Sequence, residues 1–267
     1  MAVFDPICLE AGNPGPMTGP GNNTYLLRGE GPAALIDAGV GAPPHVAAIG
    51  RHLAGAPLGR VLVTHAHADH AAGAATLAAA HPAARFHKYP WPGEDAAYGV
   101  EWHPLADGDE LVAGGARLRA IHTPGHSPDH LVFWHEPSRT AFTGDLVLPG
   151  GSVTIPWSRR GDMRQYLETL ERMLALRPRR LLPAHGAVVL DPLSLLQAHL
   201  DHRLQRERQI VEALRAGVDT VQALVDSIYH GLDPALLDGA GENVRAHLEK
   251  LKSEGRAAEA AARWTAS

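Results

Sequence analysis

Cysteine is nearly absent. Cys8 is the only one in 267 residues, so an intramolecular disulfide is excluded. Lying outside any motif, it reads as a small buried hydrophobe. Long apolar runs are absent too: none approaches the ~20 residues that a membrane span requires. The stretch MAVFDPICLEAG has no basic segment leading into an apolar one, so no secretory signal is read there. Positive charge is not in excess. With 24 Lys and Arg against 29 Asp and Glu, the formal net charge is -5. That balance gives no general attraction to phosphate backbones or acidic membranes. No internal repeat and no long disordered tract is visible. These absences fit a cytoplasmic enzyme with no membrane partner.

What is present is ordinary for a soluble globular chain: 45% apolar and 20% charged residues. The length suffices for one large core, or for a large core plus a small domain. The first 190 residues or so alternate between strand and helix patterns. NTYLL, AALIDAG and RVLVTH are short apolar runs closed by Gly or polar residues, as buried strands are. ATLAAAHP predicts a short helix stopped before Pro82. RLRAIHT, HLVFWHE, RTAFTGD and RRLLPAH predict four more strands. Asp162, with Gln165 three residues on, predicts a variant capping box opening a helix that stops before Pro178. The class expected is α/β with mixed strands.

The texture changes after Asp191. Pro192 opens a helix running to about Leu214. Further helices are expected over 220–229 and 243–252, with Pro234 opening a turn between them. SEGRAAEAAARW closes the chain as a Gly turn and a small hairpin. The expected division is therefore a main domain over 1–200 and a winged-helix-like module over 201–267.

The densest chemistry lies in THAHADH, Thr64 to His70. His65 and His67 follow a buried strand, and residues two apart in extended backbone point the same way. Both imidazoles can reach one cation. The turn toward the next helix aims Asp69 and His70 elsewhere, so one loop can serve two metals. Imidazole nitrogen with carboxylate oxygen suits zinc, and also iron or manganese. The remaining ligands should come from other strand ends. Three such places are TPGH with His126, FTGD with Asp145 and PAHG with His185. Isolated histidines such as His52, His87 and His135 read as surface or core residues instead.

THAHADH, TPGH, FTGD and PAHG, in that order, resemble the metallo-β-lactamase superfamily. The resemblance implies an αββα sandwich with the site at one edge of its sheets. It implies two divalent transition metals, zinc first and iron or manganese as alternatives. His65, His67 and His126 would hold one, and Asp69, His70 and His185 the other, with Asp145 bridging. A hydroxide shared by the two ions would attack a carbonyl or phosphoryl centre. Asp69 would bind metal and orient that nucleophile. Asp37 in LIDAG matches the superfamily's first-motif aspartate, which orients the histidine loop; its plainer role is a strand-end turn former. His130 reads as a supporting or substrate-facing residue. Thr64 and Thr143, beside ligands, are placed to hydrogen-bond imidazole N–H groups.

Asn13 to Leu27, NPGPMTGPGNNTYLL, resembles the β-lactamase-like protein 2 family, as do His202-Arg203, RERQI, IYHG and NVRAHLEKLKSEGR near the end. Animal members of that family are endoribonucleases with an appended winged helix. This implies hydrolysis of phosphodiesters in single-stranded RNA. Asn23, Tyr25 and Arg159 are the further substrate-side candidates. Two departures are the Ser152 to Met163 connection and a wing reading AAEAA where an apolar strand is expected. Residues 201–267 carry nine Lys and Arg against eleven Asp and Glu, net -2, which favours a packing or dimerising module over a nucleic-acid grip. Arg245, Lys250, Lys252 and Arg256 are the candidates for a local basic face. The alternative activity is thioester or ester hydrolysis of glyoxalase II or lactonase type, with weak β-lactamase side activity. A metal-sensing winged-helix regulator is the non-enzymatic alternative. The partner expected is a small molecule or RNA, with a homodimer through the terminal module.

Overall fold

The computed structural model describes residues 4–267, which divide into two compact units, each discontinuous in sequence. The first comprises residues up to 123, then 129–151 and 177–192; the second comprises 124–128, 152–176 and 193–267.

The first unit holds two sheets. One has six strands in sequential order: β1 (Ile7–Glu10), β2 (Asn23–Leu27), β3 (Ala33–Ile36), β4 (Leu58–Leu62), β5 (Arg85–Lys88) and β6 (Trp102–Pro104). Pairing is antiparallel from β1 to β3 and parallel from β3 to β6. The parallel crossovers carry helices α1 (Pro43–Leu53), α2 (Ala68–Ala71), α3 (Ala74–Ala80) and α4 (Pro92–Asp95). The other sheet has five strands ordered β11 (Arg180–Pro183), β10 (Thr140–Gly144), β9 (Leu131–His135), β8 (Ala116–His122) and β7 (Glu110–Ala113).

The two-residue period of the strands distributes the core. Leu26, Leu35 and Val61 face one way, onto Ile49 and Leu53 of α1 and Leu77 of α3. Their neighbours Tyr25, Leu27, Ala34, Ile36 and Leu62 face the other way, onto Leu118, Leu131, Phe133, Phe142 and Leu182 of the second sheet. Apolar residues on both faces explain why these strands read as continuous hydrophobic runs. Cys8 departs from expectation. It is exposed, because β1 is an edge strand on which Leu9 points inward and its neighbours outward.

The second unit contains α5 (Met163–Leu176), α6 (Pro192–Arg215), α7 (Val221–Ile228), α8 (Leu237–Ser253) and a hairpin of β12 (Ala257–Ala260) and β13 (Arg263–Ala266). Helix α6 passes through residue 200 unbroken. Ile210 and Leu214 of α6, Leu224 and Val225 of α7, and Val244, Leu248 and Leu251 of α8 form a core with Ala257 and Trp264. β12 offers only small alanine side chains besides Glu259, and Trp264 on the opposite strand supplies the wing's large apolar surface. Asp162 caps α5 by accepting the Gln165 N–H at 3.0 Å. The reciprocal half of the box does not form, because the Asp162 N–H donates to the Gly125 carbonyl at 2.8 Å.

Candidate metal centre

The histidine loop begins just past β4, and Asp37, just past β3, holds it. Asp37 is a non-glycine residue with φ +61°, a conformation that Asp tolerates better than most residues. Its buried carboxylate accepts the Thr64 N–H at 2.7 Å, the Thr64 hydroxyl at 3.1 Å and His70 Nδ1–H at 2.9 Å. His70 Nδ1 is thereby committed to Asp37, and Nε2 faces inward. The Thr64 hydroxyl donates to Asp37, so it accepts from His65 Nδ1–H at 3.1 Å, and His65 likewise presents Nε2. His65 Nε2 and His67 Nδ1 lie 2.9 Å apart. Thr143 differs from Thr64: its buried hydroxyl has no hydrogen-bond partner among the described residues.

The peptide between the two histidines is anchored independently. The Ala66 N–H donates to Asp129 Oδ2 at 2.9 Å, and the Ala66 carbonyl accepts from the Tyr98 hydroxyl. Asp129 is fully buried and lies 3.0 Å from Lys88 Nζ, itself fully buried. Lys88 also donates to the Tyr89 carbonyl and to Asp95. Sequence reading misses this anchor. A lysine ending the short strand RFHK and one more Asp in SPDH announce nothing, because their meaning depends on three segments meeting.

Asp69, His70, Asp145 and His185 converge: each offers one donor atom, all within 4.8 Å of one another. His70 Nε2 and His185 Nε2 each lie 3.3 Å from Asp145 Oδ1 and 3.5 Å from Asp69 Oδ2. These separations are long for charge-assisted hydrogen bonds. They match the edges of a coordination tetrahedron, about 3.3–3.4 Å for metal–ligand bonds of about 2.0–2.1 Å. The donor set therefore fits a transition-metal ion.

Electrostatics agree. Burial alone would push the Asp69 and Asp145 carboxyls up, but the His70 and His185 imidazoles hold both below the usual carboxylate range. Conversely, burial works against charge on His185, yet Asp145 and Asp69 raise it to about 10. His70, fully buried, is raised well above its ordinary value against the same opposition, by Asp69, Asp145 and Asp37. The pocket demands positive charge, which protons or a metal cation can supply.

The supporting groups fall into place around this set. His130 Nε2 accepts the Asp145 N–H at 3.1 Å while Nδ1 meets the Thr123 hydroxyl at 2.8 Å, so His130 is neutral and holds the backbone of Asp145. Gly144 is required there. It has φ +48°, and a Cβ would come within 2.7 Å of His130 Nε2. Asn23 Nδ2 donates to the Pro183 and Gly186 carbonyls at 3.1 and 2.8 Å, and the buried Tyr25 hydroxyl donates to Pro183 O at 2.7 Å. Both tie β2 to the segment bearing His185. Asn22, which sequence reading passes over beside Asn23, donates to Asp69 Oδ2 at 3.0 Å. Asn13 and Asn22 exchange two hydrogen bonds, at 2.7 and 2.9 Å, which fix the loop that presents it. In the second unit, His126 is buried in the short loop after β8, with Nδ1 donating to Thr154 O at 2.6 Å, which leaves Nε2 as its donor nitrogen. Arg159 is exposed on the single turn Trp157–Arg159.

A buried histidine–aspartate donor set at the strand ends of a two-sheet sandwich defines the chain as a metal-dependent hydrolase. It belongs to the metallo-beta-lactamase superfamily, whose model matches residues 17–185, and a beta-lactamase associated winged helix domain follows at residues 220–264. The chain is 33% identical over 258 residues to a beta-lactamase-like protein 2 homolog of Drosophila melanogaster, covering 91% of this chain and 86% of that one. It is 35% identical over 259 residues to an atrochrysone carboxyl ACP thioesterase of Aspergillus fumigatus, covering 89% of this chain and 58% of that one. A metallo-beta-lactamase family protein from Thermus thermophilus has the same fold, with TM-score 0.80 at 24% identity over 98% of both chains. Among the described residues, no helix is long and apolar enough to cross a membrane.

Proposed function

We propose that the enzyme works with two divalent transition-metal ions and hydrolyses a small acyl substrate, a thioester or ester. His65, His67 and His126 would hold the first ion, and Asp69, His70 and His185 the second, with Asp145 as the shared ligand; Asp69, His70, Asp145 and His185 are the four whose donor atoms converge within the first unit. The observation that carries the hydrolase reading is the convergence of Asp69, His70, Asp145 and His185 at tetrahedral edge lengths. When bound, the ions supply Lewis-acid charge and bring the pKa of a water toward neutrality. Asp69, its carboxylate steadied by Asn22, orients the attacking water. Asp37 fixes His70 and, through Thr64, His65 in the tautomers that present Nε2. His130 keeps Asp145 in place through its N–H.

The choice of an acyl substrate rests on the state of the terminal cations. Arg245 pairs with Glu249 and Glu259, Lys250 with Glu207 and Glu254, Lys252 with Glu259, and Arg256 with Glu207 and Glu254. The module neutralises its own candidate basic face, and RNA binding draws on cations available to phosphates. The thioesterase similarity points the same way. The second reading is hydrolysis of single-stranded RNA. It is favoured by the similarity to β-lactamase-like protein 2 homologs across nearly the whole chain. A panel of S-lactoylglutathione, an acyl thioester, a lactone, a β-lactam, a phosphodiester reporter and single-stranded RNA separates the two. Thioester or ester turnover should dominate and fall at least about 100-fold in Asp69→Asn. RNA cleavage that depends on Asp69, with no acyl turnover, would transfer the assignment to the second reading.

A further inference from the structure

His126 is the one proposed ligand that belongs to the unit containing the terminal helices, and its supports come from there. Its Nδ1–H donates to the Thr154 carbonyl at 2.6 Å. Both neighbours of Thr154 are held by that module. The Val153 carbonyl accepts from Arg203 of α6, and the Ile155 N–H donates to Asn243 Oδ1 of α8 at 2.8 Å. Arg203 and Asn243 are buried, and the Arg203 guanidinium lies 5.4 Å from the centre of the Tyr166 ring. A further bond runs from the Ser158 N–H to Glu242 Oε2 at 2.8 Å. The loop carrying His126 is itself pinned to α5. The Thr169 hydroxyl donates to the Pro124 carbonyl at 2.9 Å, and a Cβ on Gly125, at φ +136°, would lie 2.4 Å from Tyr166 Cα.

We infer that Arg203 and Asn243 are positioning residues for the metal centre: they fix residues 153–155, whose Thr154 carbonyl sets the tautomer and direction of His126. The terminal helices then set the presentation of His126, beyond any separate recognition role. The carbonyl partner of a ligating imidazole fixes which nitrogen faces the ion and raises its basicity, and losing such a partner typically weakens metal binding about 10–100-fold. Losing Arg203 or Asn243 frees one neighbour of that carbonyl, so the effect should lie near the lower end.

This inference rests on His126 being a ligand, and the experiment separates the two. Full-length wild type, His126→Ala, Arg203→Met, Asn243→Ala and the milder Asn243→Asp are stripped of metal. They are then titrated with cobalt(II) against a competing chelator, recording the ligand-field spectrum. Thermal unfolding of each metal-free protein is measured alongside. The expected result is two cobalt ions on wild type and one on His126→Ala. Arg203→Met and Asn243→Ala should bind one of the two ions about tenfold more weakly, with a shifted spectrum, and Asn243→Asp less so. A Thr220→Ala control, destabilised but remote from this network, should bind both ions as wild type does. If His126→Ala binds like wild type, the ligand assignment falls and this inference with it. If His126→Ala loses one ion while the folded Arg203 and Asn243 variants match wild type in affinity and spectrum, the positioning role alone is overturned. A loss of affinity that tracks unfolding temperature across all variants, Thr220→Ala included, overturns it as well.

Discussion

Both carboxylate oxygens of Asp37 are committed to the histidine loop, and the Lys88–Asp129 pair grips the same loop from another strand. The two anchors differ in how openly the sequence declares them. Asp37 stands in LIDAG, a strand-end context that a motif comparison reaches; Lys88 and Asp129 stand in no motif and meet only when β5 and the start of β9 are placed. The same logic separates the ligands from Asn22. The histidines and aspartates of the site sit in short signature strings, whereas Asn22 acts through a long-range contact with Asp69. A buried pair of this kind is costly to break from one side. Lys88→Met should lower stability by about 3–5 kcal/mol, because it leaves the Asp129 carboxylate buried without its cation. Urea unfolding measures the loss, and Lys88→Met with Asp129→Leu should recover a large part of it. A double variant no more stable than Lys88→Met would show that the pair is not coupled. Because Ala66 N–H loses its acceptor in the double variant, metal affinity should remain impaired even where stability returns.

At the level of elements, sequence pattern identifies the strands that are buried along most of their length and fails on short strands that leave several residues exposed. β2, β3, β9, β10 and β11 announce themselves because their buried faces leave little room for polar residues, and β8 through the alternation of Arg117 and Arg119 with Leu118 and Ala120. β1, β5, β6 and β7 are three or four residues each, and their compositions (ICLE, RFHK, WHP, ELVA) carry no clear alternation. Helix α8 begins at Leu237, several residues before the pattern over 243–252 suggests. Gly239 and Gly241 lower the intrinsic helix preference of that first turn, and packing of Ala240 and Val244 overrides it. Helix α7 shows the opposite case, a boundary set by local chemistry. Thr220 accepts the Ala223 N–H at 3.2 Å, as an N-cap should. Thr220→Ala should cost about 1 kcal/mol, and Thr220→Ser should restore most of it. Thermal unfolding of the two variants checks this, and equal unfolding temperatures would contradict the cap.

For the molecule as a whole, the overall charge of -5 conceals a terminal module whose charges are arranged against one another. No count of Lys, Arg, Asp and Glu reveals this, because the pairing joins α6, α8 and the wing. Glu207 of α6 is the hub: Lys250 Nζ lies 2.8 Å and Arg256 Nη1 2.7 Å from its carboxylate, and His247 Nδ1 lies 3.6 Å away. Burial opposes its charge, but the contacts with His247, Lys250 and Arg256 outweigh burial and bring its carboxyl down from 4.5 to about 2. A carboxyl depressed in the folded state stabilises fully above its unfolded pKa and loses that contribution as pH falls toward the folded value. The histidines of the same module act in the same direction. His202 is lowered to about 4, by burial and then by Arg203 and Arg206, and the fully buried His247 is lowered by burial. An imidazole lowered in this way resists protonation when folded, so it favours unfolding once pH drops below its ordinary 6.5. The module should therefore weaken in two stages, from about pH 6.5 to 4 through the histidines and from about 4.5 to 2 through Glu207. Glu207→Gln should destabilise the metal-free protein at pH 7 by about 2 kcal/mol, since it strips two cations of their shared acceptor. It should also flatten the lower stage of the pH profile and leave the His202 part of the upper stage, while His247, no longer facing a carboxylate, is lowered further. Circular dichroism melts of wild type and Glu207→Gln between pH 2.5 and 8 test this. Parallel profiles below pH 4.5 would show that Glu207 does not carry the acid stage.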